Sequence, residues 1–106
     1  MAEKISGMRI LGLDVTVEAD AELGRGRNLY GEWHPGLATV TIDPSLPPQQ
    51  QGETLVHETL EALKSLMELE LEHPTLSALS AGLHAVLRAN PELVKAICEG
   101  KEIVHG

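Results

Sequence analysis

The sequence predicts an α+β fold: a short antiparallel sheet of about three strands, followed by helices. Its first half alternates apolar and polar residues with the period of two expected of half-buried strands. Its second half repeats apolar residues at helical spacing. Between the halves stand Pro44, Pro47 and Pro48, and proline cannot serve an interior sheet ladder. Strands are expected over about 8–43 and helices over about 50–99. A chain of 106 residues has room for a single domain, since two cores could hardly share so few.

In the first strand, Leu11, Leu13, Val15 and Val17 alternate with Gly12, Asp14, Thr16 and Glu18. Ala19 to Asn28, with Gly24-Arg25-Gly26-Arg27, reads as a loop. It lacks the following helix and Lys of a phosphate-binding loop. A second strand is expected over Leu29 to Trp33 and a third over Ala38 to Asp43. His34-Pro35-Gly36 is the turn that makes them a hairpin. From about Gln50 to Leu69, Leu55, Val56, Thr59, Leu60, Leu63, Leu66 and Met67 share roughly 140° of a helical wheel. A second helix starts at His73-Pro74, where proline suits the first helical position. Leu76, Leu79, Leu83, Val86 and Leu87 form its apolar stripe. Asn90-Pro91 ends it, and Pro91 to Glu99 makes a short third helix stopped by Gly100.

Composition limits the function. Eight basic residues against sixteen acidic ones leave a charge of −8, which argues against nucleic acid as a partner. Tyr30 and Trp33 are the only aromatics, so the core is aliphatic and base-stacking platforms are missing. No apolar run approaches the ~20 residues of a membrane span. Met1 to Val17 is interrupted by Arg9 and Asp14 and does not read as a signal peptide. One cysteine, Cys98, suits a reducing compartment, so a cytoplasmic location is expected. Cys98 itself reads as a small buried hydrophobe. Trp33 reads as an anchor between hairpin and helix. His34 and His105 read as solvated, and His84 as packing at a helix edge.

The first long helix carries His57-Glu58-Thr59-Leu60-Glu61. In zinc peptidases H-E-x-x-H sets two ligands one turn apart, with the intervening Glu as general base. Here Glu61 takes the second ligand position, about 40° from His57 on the wheel. A carboxylate oxygen binds Zn²⁺ at roughly the distance an imidazole nitrogen does. Glu58 stands where the base of that motif stands. The same residues also fit a solvated face, because His57, Glu61, Lys64 and Glu68 lie opposite the leucine stripe and Glu61 can pair with Lys64 or simply face water. Six acids, Glu53, Glu58, Glu61, Glu68, Glu70 and Glu72, gather in and just beyond this helix. Glu58 and Glu61 repel each other unless solvated, protonated or metal-bound.

Thr54-Leu55-Val56-His57-Glu58-Thr59-Leu60-Glu61-Ala62-Leu63 resembles the active-site helix of small zincin-like metallopeptidases. The likeness is to the ImmA/IrrE-like group and related short phage or prophage proteins. It extends over about Leu29 to Pro91, through a preceding strand hairpin, a proline-containing link and a following helix with Leu79-Ser80-Ala81-Gly82-Leu83. The resemblance implies a minimal zincin-like fold and a metal-dependent hydrolase acting on a peptide or protein. It also implies that the strand Ala38 to Asp43 presents an edge to an extended peptide. The group has His where this chain has Glu61, and its third ligand is an acidic residue near the start of the next helix. The matching place here is His73, with Glu72 the neighbour one position away. The implied set is therefore His57, Glu61 and His73, which suits Zn²⁺ and also Mn²⁺ or Fe²⁺. The alternatives are a zincin-like module that has lost catalysis and serves binding or regulation, and a small α+β protein whose leucine stripes form an oligomer surface.

Overall fold

The computed structural model describes residues 5–27 and 29–104. Four strands form one sheet: β1 (Gly7–Ile10), β2 (Leu13–Ala19), β3 (Gly31–His34) and β4 (Thr39–Ile42). Helix α1 (Glu22–Gly26) lies between β2 and β3, and α2 (Pro48–Leu66), α3 (His73–Ala89) and α4 (Pro91–Glu99) follow β4. The class is α+β. The sheet differs from the expectation, with four strands rather than three and a mixed order β1-β2-β4-β3.

The extra strand hides behind an unusual turn. Leu11 and Gly12 have φ of 52° and 83° and close a hairpin in which Ile10 lies opposite Leu13. Two-residue hairpins favour positive φ at both positions, which Gly adopts freely and Leu rarely does. No Asn-Gly or Asp-Gly signal marks this turn, so Leu11 reads in the sequence as the start of a strand. The mixed order has a topological cause. β3 returns antiparallel to β2 but one strand's width away, and β4 fills the gap. Val40 thus stands beside Val17 in a parallel pair and beside Trp33 in an antiparallel one. The expected β3–β4 hairpin is present, while β4 is interior and β3 is the edge. That corrects the placement of a peptide-binding edge on Ala38 to Asp43.

The expected loop from Ala19 contains α1, whose Leu23 is fully buried; Asn28 and His105 lie outside the described residues. Ile10, Val15, Val40 and Ile42 pack against Ala62 of α2, with Trp33, Leu55 and Leu63 around them. Full burial of an aliphatic side chain such as Val15, Val40 or Ile10 stabilises the fold by roughly 1.5–3 kcal/mol. On the opposite sheet face, His34 Nε2 lies 3.1 Å from Thr41 Oγ1 and 3.4 Å from Glu32, which Arg27 clasps through both carboxylate oxygens. His34 is therefore a half-buried strand residue rather than a solvated turn residue.

The link into α2 is tied down locally. Asp43 accepts hydrogen bonds from the Ser45 N–H and hydroxyl at 2.9 and 2.7 Å, and these hold its carboxyl below the usual range. Helix α2 ends at Leu66, three residues earlier than expected, where Glu68 turns to φ 53°. Its most buried ridge is Thr54, Glu58 and Ala62, about 130° round the wheel from the centre of the leucine stripe. The reason is placement: α2 is sandwiched between the sheet and α3, and no residue from Gln50 to Lys64 is exposed.

Helix α3 uses a different face than its leucines suggest. Leu76 is fully buried, but Leu79, Leu83, Val86 and Leu87 are exposed. The seam against α2 is made instead by Leu76, Ser80 and His84, spaced four residues apart, with His84 against Gly52. Cys98, expected inside, is exposed on α4, the short helix that packs beside α3. No helix among the described residues is long and apolar enough to cross a membrane.

Candidate metal centre

Helices α2 and α3 bring the candidate ligands together. His57 and Glu61 lie one turn apart on the flank of α2 that faces α3, and both are half-buried. His73 is the first residue of α3, exposed at the mouth of the seam. One potential ligand atom from each of His57, Glu61 and His73 falls within 4.8 Å of the others. The two imidazoles meet edge to face, with centroids 5.4 Å apart. A tetrahedral ion with bonds near ~2.1 Å sets its ligand atoms about 3.4 Å apart. The donor set, two imidazoles and a carboxylate, is one that a borderline cation such as Zn²⁺ takes. Glu72, the neighbouring alternative, is exposed and stands outside this group.

Glu61 takes part in no ion pair among the described residues, and Lys64 is likewise unpaired there. His57 is partly desolvated. Burial lowers its pKa most, with the His73 charge also lowering it and Glu61 and Glu53 opposing. A neutral imidazole keeps the lone pair that a cation needs.

Glu58 sits on the buried ridge of α2, only 7% exposed. Burial pushes its carboxyl up to about 7; Glu61 and Glu32 add to the rise, and the Trp33 backbone N–H bonded to it pulls the other way. That N–H belongs to β3, which packs directly on α2 at this point. A Cβ on Gly31 would stand 2.6 Å from Thr54 Cγ2 and 3.3 Å from Glu58 Cγ. Glycine is thus what allows the edge strand to approach the helix.

Between β3 and the α2–α3 seam lies a cleft of about 650 Å³. His57, Glu58, Glu61 and His73 line one side and Tyr30 to Trp33 the other. Trp33 both packs on the core and borders this cleft, and its buried Nε1 has no hydrogen-bond partner among the described residues. The cleft also holds Ser80, Ser77 and Gly31, which the sequence does not single out as site residues, and Glu53 of the acidic group. Two of them carry a signal: a Ser inside an apolar stripe calls for a partner, and a Gly inside a strand marks a close backbone approach. No family profile, curated protein or solved structure matches the chain.

Proposed function

We propose that the chain is a small metal-dependent hydrolase of zincin type, cutting amide bonds in an extended peptide. The observation that carries this reading is the convergence of ligand atoms of His57, Glu61 and His73 within 4.8 Å of one another, with the buried Glu58 lining the same cleft. His57, Glu61 and His73 would hold the metal, Zn²⁺ first, with Mn²⁺ or Fe²⁺ also matching the donor set. A bound divalent ion supplies Lewis acidity, polarising a carbonyl and acidifying water.

The chain's own part is proton transfer and positioning. Glu58, with a pKa near the working pH, takes a proton from the attacking water and delivers it to the departing amine. The new C–O bond forms as the C–N bond breaks, and the proton count closes on Glu58. The peptide lies along β3, the sheet edge on the cleft, where an extended segment can add to the sheet as one more strand.

The test is hydrolysis of a mixed peptide library by zinc-loaded protein. Cleavage abolished by a chelator and lowered about 10²- to 10⁴-fold in Glu58→Gln supports the reading. Cleavage that survives both treatments contradicts it, and so does a zinc-loaded protein that cleaves nothing. A second reading, self-association, is favoured by the exposed Leu79, Leu83 and Val86 on the outer face of α3. Light scattering decides it, since Leu83→Glu dissociates an assembly held by that face and leaves a monomer unchanged.

A further inference from the structure

Ser80 is the one polar side chain of α3 that is buried among the described residues, 2% exposed in the seam against α2. Alanine fills such a seam equally well, and a buried hydroxyl costs stability unless its hydrogen bonds are made. Here they are made, in a defined direction. The Ser80 O–H donates to the Ser77 carbonyl, 2.9 Å away and three residues back on the helix. A hydroxyl has a single proton, so the oxygen meets His57 Nδ1, 3.3 Å away, as an acceptor. Nδ1 then carries a hydrogen, and a neutral ring held this way has its lone pair on Nε2.

We propose that Ser80 is a positioning residue that sets the ring orientation and tautomer of His57, so that Nε2 is the atom offered to a divalent cation. The inference rests on the metal reading above and adds to it the ligating atom and the residue that selects it. Metal-binding imidazoles generally give their second N–H to a carboxylate, a carbonyl or water. In this chain a serine hydroxyl takes that place, itself anchored to a helix carbonyl. The relay crosses from α2 to α3, so the packing of the two helices and the aim of His57 are set together.

Nitrogen-15 NMR of the metal-free full chain, above the pH range of imidazole titration, reads the tautomer directly. Wild type is expected to show His57 protonated on Nδ1, and Ser80→Ala a mixed or Nε2-protonated ring. Zinc titration is then expected to show about 10- to 100-fold weaker binding in Ser80→Ala, with unchanged circular dichroism. Ser80→Cys, close in size and a weak acceptor, is expected to fall between them. A wild-type His57 protonated on Nε2 overturns the proposal, and this measurement needs no variant to fold. A Ser80→Ala chain with wild-type tautomer and zinc affinity overturns it as well. Failure of wild type to take up zinc overturns the metal reading instead, which separates the two failures.

Discussion

His57 and His73 approach edge to face, ring centroids 5.4 Å apart, although sixteen positions separate them in the chain. One is half-buried on the flank of α2 and the other opens α3, so the connection Met67 to Glu72 fixes their meeting. Two imidazoles at this distance beside Glu61 form a donor group no single helix provides. Replacing His57, Glu61 or His73 singly by Ala is expected to weaken zinc binding by more than about 100-fold, beyond the usual effect of a supporting residue. Competition with a chromophoric chelator measures it.

Glu58 makes the stability of the metal-free protein fall as pH rises. Its folded pKa of about 7 lies above the ordinary 4.5, so the folded chain holds this proton more tightly. The contribution is fully present below 4.5 and is lost as pH climbs through 7, an effect on the order of 3 kcal/mol. Glu58→Gln is expected to flatten that decline. Urea denaturation of both chains at acidic and at alkaline pH shows it as a difference in midpoint shift.

Gly31→Ala tests how closely β3 rests on α2. Its new methyl meets Thr54 Cγ2 at 2.6 Å and the Thr41 carbonyl at 3.0 Å. A destabilisation of about 1–3 kcal/mol is expected from such overpacking. Thermal unfolding reads it, and Gly26→Ala, where nothing stands within 4 Å, is the control.

The orientation of α3 separates two leucines that look alike in sequence. Leu76 is fully buried and Leu79 is about half exposed. Leu76→Ala is expected to cost about 2–5 kcal/mol, and Leu79→Ala within about 0.5 kcal/mol. Equal costs contradict the seam described for α3.

Helices α2, α3 and α4 were legible because proline and glycine punctuate them, with Pro48, Pro74, Pro91 and Gly100 at or beside their ends; α1, inside the expected loop, was not. The hairpin of β3 and β4 was legible from alternation around His34-Pro35-Gly36. The turn at Leu11–Gly12 was not, because a leucine at positive φ carries no turn signal. Which faces the helices bury was also misread. Apolar periodicity finds a stripe but not its partner, and α3 turns Ser80 and His84 inward while Leu79 and Leu83 stay outside. For the candidate site, helical spacing placed His57 and Glu61 together, whereas the proximity of His73 came through family resemblance. Ser80 needed the structure, since its role depends on contact across two helices.

Equilibrium dialysis against zinc followed by elemental analysis separates a metal centre from a bare cluster of side chains, with wild type and His73→Ala run side by side. One zinc is expected to be retained per wild-type chain and little or none by the variant. A folded wild-type chain that retains no zinc contradicts it, and so does a His73→Ala chain that retains as much as wild type.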